Sequence, residues 1–317
     1  MSKKRSLIFI LLLIFVVFLF GYLLLSRTGV SCPDKYSFIS QDLNCDEDPQ
    51  NETVALKRLV NSVVEGHVSA KDARRVAVFY RNLSDRQWFG INENENFDPA
   101  SLLKLPLAMA YYKLQEINPD IMAQEYEYHL QDGVSKAVLS YKPTEELVSG
   151  KRYTLSGLIQ RMIQYSDNEL VPLLFEKLDK DFVNKVYVDM EVYFPKTGGT
   201  EQNFVSVKTY AKILRSLYNS SYLNQNSSNE LLDIMSKSSF RSGIVSGVSD
   251  SVTVSNKFGV RSLLDPVSAR VTGIQLHDCG IVYTKDPYIL CVMTEGNNPE
   301  KLAQVIADIS KNIYENR

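Results

Sequence analysis

Apolar positions along the chain fall into two spacings, and the order of those spacings sketches a fold. Leu56 to Val64 is amphipathic at helical period and reads as an opening helix. The stretches RRVAVFYRNL and QWFGINE are rich in β-branched and aromatic residues and read as two strands, joined by the turn residues Ser84 and Asp85. In FDPASLLKLPLAMAYYK, Pro99 and Ser101 mark a helix start and an apolar run follows. Most of residues 112–247 then carry helix-period segments: YTLSGLIQRMI, ELVPLLFEKL, SVKTYAKILRSLY and NELLDIMSK, with YLNQNSSN a loop by composition. Strand patterns return at SVTVSNKFG, VTGIQLHD, GIVYT and PYILCVMTEG, with Lys285-Asp286-Pro287 as a tight turn. PEKLAQVIADISKNIY closes the chain as an amphipathic helix. Strands at both ends therefore bracket a helical middle. They must pair to bury their apolar faces, which predicts an α/β chain of the α+β sandwich kind. About five antiparallel strands are flanked by the terminal helices, with an all-helical subdomain inserted.

The N-terminus adds a compartment to this picture. Lys3, Lys4 and Arg5 precede an almost unbroken apolar run, Leu7 to Ser26, of about 20 residues, enough to span a bilayer. The charge order places residues 1–6 in the cytoplasm and the remainder outside. The run is long for a signal-peptide core and no small-x-small site ends it, so a retained single-pass anchor over 7–26 is expected. Gly29-Val30-Ser31 before Cys32 makes a poor lipoprotein site. Residues 27–56 form a polar extracytoplasmic stalk, and 57–317 form the outer domain. Cys32 and Cys45 lie in the stalk, where a disulfide is an option in an oxidising compartment. Cys279 and Cys291 fall on two late strands; bridging is open to them, and packing as buried thiols is the expectation.

A formal charge of −2 over 317 residues points to no nucleic-acid partner. Three histidines (His67, His129, His277) and no C-x-x-C spacing argue against a metal site, and nothing calls for a cofactor. Nothing suggests more than a monomer.

Three short motifs carry chemistry. Ser101-Leu102-Leu103-Lys104 puts an amine one helical turn from a hydroxyl, a poor nucleophile unless a base stands beside it. Ser166-Asp167-Asn168 breaks two apolar-periodic stretches, and Lys257-Phe258-Gly259 ends a strand. Each alone is commonplace. Together, in this order, they resemble the S-x-x-K, S-D-N and K-T-G set of class A β-lactamases and penicillin-binding proteins, over roughly residues 57–317.

The resemblance implies a serine hydrolase acting on an amide, acylated at Ser101 by a β-lactam or a D-alanyl stem peptide of peptidoglycan. Lys104 would take the Ser101 proton, its pKa depressed by burial near Lys257. Ser166 would protonate the leaving nitrogen, and Asn168 would hold the substrate amide and Lys104. Lys257 would attract a substrate carboxylate. The strand after Gly259 would bring the Val260 N–H to join that of Ser101 as oxyanion donor. Two departures stand out. Phe258 occupies the place of a carboxylate-binding Thr or Ser, for which Arg261 and Ser262 are candidate substitutes. The Glu-x-x-Leu-Asn segment of class A enzymes has only a loose counterpart in Glu201 and Asn203, so Glu201 is a weak candidate for the deacylating base. Slow deacylation would suit a D,D-peptidase, and a non-catalytic peptidoglycan-binding relative is a further alternative. A Ser101-His277-Asp278 triad is disfavoured because neighbours on a strand face opposite ways. The HDCG stretch reads instead as a hairpin pinning the sheet edge.

Overall fold

The computed structural model describes residues 51–129, 146–195, 202–265 and 268–317. The apolar run at 7–26, Cys32, Cys45 and Glu201 lie outside them. The described residues belong to one compact unit, Gln50–Arg317. Among them, no helix is long and apolar enough to cross a membrane.

In order, the elements are α1 (Asn51–Ser69), β1 (Arg75–Asn82), β2 (Trp88–Ile91), β3 (Asn96–Phe97), a 3₁₀ turn (Ala100–Leu103) and α2 (Lys104–Gln115). The helical middle follows with β4 (Glu125–Glu127), β5 (Arg152–Thr154), α3 (Leu155–Gln164), α4 (Leu170–Glu176) and α5 (Lys180–Asp189). After β6 (Val205–Ser206) come α6 (Val207–Tyr218) and α7 (Gln225–Ser236). The chain ends in β7 (Thr253–Leu264), β8 (Val271–Tyr283), β9 (Tyr288–Gly296) and α8 (Pro299–Asn316). Five strands form one antiparallel sheet in the order β2-β1-β9-β8-β7. First and last strands do pair, β1 against β9, as burial of their apolar faces requires.

Alternation along each strand feeds two cores. Ala77, Phe79, Cys291 and Met293 face the helical subdomain, whereas Val76, Val78, Leu290 and Val292 face α1 and α8. Both faces are covered, so β9 is buried nearly throughout and shows no polar alternation in its sequence. Helix starts follow local capping chemistry. Thr154, Asp179, Ser206, Asn224 and Asn298 each accept a backbone N–H from the first turn of the helix they precede.

Several sequence expectations need correction. The opening helix starts at Asn51, ahead of Leu56. YLNQNSSN is not all loop, because Asn224 caps a helix whose first turn is Gln225-Asn226-Ser227-Ser228. One helix, α5, and the short β4–β5 pair have no counterpart among the expected elements. VTGIQLHD and GIVYT are one strand, β8, so His277-Asp278-Cys279-Gly280 is no hairpin but the middle of an inner strand. Gly280 permits that continuity, since a Cβ there would stand 2.7 Å from the Ser255 carbonyl oxygen.

Cys279 and Cys291 are bonded as a disulfide rather than packed as thiols. They are direct partners across β8 and β9 and share the face toward the helical subdomain. The bridge closes a loop with a sequence separation of 12, for which the chain-entropy argument gives about 3 kcal/mol. Replacing both cysteines by alanine is expected to lower the urea midpoint accordingly, and an unchanged midpoint would count against a bonded pair.

Candidate active site

The serine motif sits where the sheet meets the helical subdomain. Ser101 lies in the 3₁₀ turn before α2, a geometry with three residues per turn that stacks positions i and i+3. Lys104, the first residue of α2, is buried. As a first-turn residue, Ser101 has an N–H without an intrahelical acceptor. The turn is held from below by β8. Gln275 Oε1 accepts the Asp98 N–H at 2.9 Å, and His277 Nε2 donates to the Asp98 carbonyl at 2.9 Å. The His277 tautomer follows, because its Nδ1 accepts the Thr294 N–H. Asp98 in turn accepts the Ala100 N–H at 2.8 Å, and Ala100 adopts a left-handed φ of 46°.

Ser166 also has a left-handed backbone, with φ 56°. That conformation turns both its carbonyl and its hydroxyl toward Lys104, whose Nζ donates to the Ser166 carbonyl, to Ser166 Oγ at 3.3 Å and to Asn168 Oδ1 at 2.6 Å. Asp167 braces the turn by accepting the Glu169 N–H at 3.0 Å and pairing with Arg161 at 2.8 Å. Lys257 Nζ donates to the same Ser166 Oγ at 2.8 Å and to its neighbour's carbonyl, Phe258 O, at 2.8 Å. One hydroxyl thus lies between two amines, able to accept from both and keep its own proton for donation.

Burial governs the charge of these amines. Desolvation pushes Lys104 down to about 7, opposed by the nearby Asp167 carboxylate. Lys257, fully enclosed, is held well below its ordinary value by desolvation first and by repulsion from Lys104 second. Two amines in contact through one hydroxyl titrate as a pair. A Lys104 that acts as base must be deprotonated, so acylation should rise with pH and level off above about 7. Acylation rates measured from pH 5.5 to 9 check this, and a flat profile below neutrality would contradict it.

Asp278 is fully buried on the opposite face from His277, as strand alternation requires, and no triad forms. Burial raises its carboxyl to about 7, while Asn256 Nδ2 and the Ile244 N–H donate to it at 2.8 and 2.9 Å. His277 is pushed down to about 4 by its burial and serves as a neutral structural donor.

A cleft of about 770 Å³ opens over Ser101, Lys104 and Asn168. Its other side is β7, an outer strand, which contributes Val260, Arg261 and Ser262. Gly259 brings that strand close to the serine turn: a Cβ there would stand 3.1 Å from the Pro99 carbonyl oxygen and 3.3 Å from the Leu102 nitrogen. The structure therefore gathers Ser101, Lys104, Ser166, Asn168, Lys257, Gly259, Val260 and Arg261 around one cavity and its wall. Lys257 differs from expectation in one respect, being fully buried behind Ser166 and not lining the cleft. Phe258 packs in the core beneath α1 and α8, stacked on Phe240 at 4.8 Å with Lys257 Nζ 4.4 Å from its ring centre, and does not line the cleft. Arg261 does line the cleft, 3.5 Å from Asp98, and is half exposed. Among the described residues, Asp98 is the one carboxylate lining the cleft, and it is committed to Ala100 and Arg261. Sequence reading missed a cluster of cleft residues from α4, α5 and the segment after it: Pro172, Phe175, Tyr187 and Phe194. Tyr187 sits on the helix that polar composition concealed, Pro172 and Phe175 had been read only as helix-period positions, and Phe194 fell in no expected element.

This geometry sets two serines, two lysines and an asparagine around one cleft of a sheet-plus-helical-subdomain fold. Residues 55–316 match the β-lactamase enzyme family, and the chain belongs to that family. Among solved structures, a β-lactamase from Sphaerobacter thermophilus is 21% identical, with 80% of this chain and 94% of that one covered at a TM-score of 0.65. The TLA-1 extended-spectrum β-lactamase is 17% identical, with coverage of 84% and 99% and a TM-score of 0.69. PBP-A is 16% identical, with coverage of 85% and 97% and a TM-score of 0.65. At these identities the likeness shows the fold. Among curated proteins, none matches.

Proposed function

We propose that this chain is a membrane-anchored, extracytoplasmic serine hydrolase, acylated at Ser101 by β-lactams or by D-alanyl peptides of peptidoglycan. The observation that carries the reading is the Ser166 hydroxyl, bonded by Lys104 on one side and Lys257 on the other beside the Ser101 cleft. The anchor is residues 7–26, and the Cys279–Cys291 bridge suits an oxidising compartment.

The steps follow from the groups present. Ser101 Oγ attacks the amide carbonyl carbon and its proton passes to the neutral Lys104 amine. The carbonyl electron pair moves onto oxygen, where the Ser101 and Val260 N–H groups receive it. As the C–N bond breaks, the leaving nitrogen takes the Ser166 proton, and the Lys104 ammonium, 3.3 Å away, replaces it. The product is an ester of Ser101 and a free amine. Asn168, whose oxygen already accepts from Lys104, presents its amide N–H to the substrate. Arg261 and Ser262 take the role that a hydroxyl at position 258 would otherwise fill, pairing with a substrate carboxylate.

Hydrolysis of the ester needs an activated water. Asp98, engaged as it is, makes a poor base, so a long-lived acyl-enzyme of the D,D-peptidase kind is favoured over rapid β-lactam turnover. A time course of labelling and release with a fluorescent penicillin tests this: labelling dependent on Ser101 and release slower than labelling are expected. Glu201→Ala should leave labelling intact; a further slowing of release assigns Glu201 as base, and an unchanged release rate removes it. Tight muropeptide binding that survives Ser101→Ala, without any ester formed, would instead favour a binding module.

A further inference from the structure

A second cavity, of about 790 Å³ against about 770 Å³ for the reaction cleft, opens where α7 meets the first residues of β7 and the end of β8. The two share no lining residue, and roughly 26 Å of strand separates Thr253 in one from Arg261 in the other. Gln225, Asn229, Leu232 and Ser236 follow at intervals of three and four, so one face of α7 forms a wall. The opposite face of that helix, with Leu231, Ile234 and Met235, is buried. Ser255 ties the wall to the strand, its Oγ donating to the Leu232 carbonyl at 2.7 Å.

The chemistry of the lining selects its ligand. Among the described residues that line the cavity, none is a lysine, arginine or histidine, and the one carboxylate, Asp233, is paired with Lys237 at 2.6 Å. An anion finds no counter-charge there, and a cation finds its counter-charge already taken. What remains is amide and hydroxyl: Gln225, Asn226, Asn229 and Thr253 are all exposed. A carboxamide holds donors and an acceptor side by side, a pattern that matches neighbouring hydroxyls or an acetamido group. Two half-buried tyrosines, Tyr218 and Tyr283, add ring surface for the apolar face of a sugar. We propose that this cavity binds a neutral glycan, a run of N-acetylated sugars, apart from Ser101, with Asn226, Asn229 and Tyr283 among its contacts. The choice of a glycan among uncharged polyols rests on the peptidoglycan reading of the function. A strand held at α7 keeps its own stem peptides near the cleft, which raises their local concentration without touching the reacting atoms.

The test titrates chitotetraose, a peptide-free run of N-acetylglucosamine, into the full chain in detergent micelles by calorimetry, with its deacetylated, cationic form alongside. Saturable binding of chitotetraose is expected, about tenfold or more tighter than that of the cationic form. Asn229→Ala should weaken it about tenfold. Asn229→Trp, which fills the cavity from an exposed helix position, should abolish it. Asn229 does not line the reaction cleft, so labelling of Ser101 by a fluorescent penicillin should keep the wild-type rate in both variants, which also reports an intact fold. No saturable binding of chitotetraose, with labelling intact, would overturn the site and leave the Ser101 chemistry standing. Binding that survives both Asn229→Trp and Asn226→Trp would overturn its location. Equal or tighter binding of the deacetylated form would overturn the ligand class. Chitotetraose binding that is lost in Asn229→Trp, in a folded chain that takes no label, would sustain the site while removing the reaction.

Discussion

Replacing Lys104 by alanine is expected to slow acylation of Ser101 by about 10³-fold while leaving the chain folded. The argument rests on what else could take the serine proton. Lys104 Nζ is the amine one turn from Ser101, and burial brings it down to about 7, where neutral and charged forms are both accessible. Lys257 is farther back, sealed behind Ser166, so its amine reaches the cleft only through the Ser166 hydroxyl. Removing Lys104 also strips Asn168 Oδ1 and the Ser166 carbonyl of their donor, freeing a left-handed turn that has no glycine to favour it. Lys104→Arg should not rescue, since a guanidinium stays protonated at neutral pH. The check is the second-order rate of labelling, with circular dichroism to confirm the fold. A loss under tenfold would move the base elsewhere.

Gly259→Val carries the next largest expected effect, a loss of about 10²-fold or more in acylation. The Gly259 position is already in contact, by where its Cβ would fall, with Pro99 O and the Leu102 nitrogen. Those contacts are backbone and cannot swing aside as a side-chain tip could. A branched side chain must push β7 away from the serine turn, and with it the Val260 N–H that shares the developing oxyanion with Ser101. Gly259→Ala asks for a few tenths of an ångström and should fall between. Labelling rates of both variants against the wild type decide it; equal rates would separate β7 from the oxyanion role.

How far these residues could be found without coordinates depends on what fixes them. Ser101, Lys104, Ser166, Asn168 and Lys257 were legible because hydroxyl, amine and amide recur in a set order on a helix start, an interhelical break and a strand. The five-stranded sheet was legible because apolar stretches at both ends of the chain had only each other to pair with. What stayed hidden had weak local signals. The helix α5, KDFVNKVYVD, buries only Val183, Val186 and Tyr187, and its other positions are mostly polar; it therefore lacks a broad apolar stripe. The unity of β8 was hidden by His277, Asp278 and Gly280, which look like turn residues but are buried because Asp98, Asn256 and the Ser255 carbonyl meet them from neighbouring elements. The Cys279–Cys291 bond depends on register between β8 and β9, which spacing alone does not give. The fate of Phe258 depends on Phe240, a loop residue eighteen positions earlier whose ring meets it only in the folded chain.

Incubating the full chain with benzylpenicillin, quenching in acid and mapping the adduct by mass spectrometry puts the account to its most direct test. A single penicilloyl group on the peptide that contains Ser101, absent when Lys104 is alanine, is the result expected. A folded chain that carries no adduct, or carries it on another residue, would contradict the assignment of Ser101 as nucleophile.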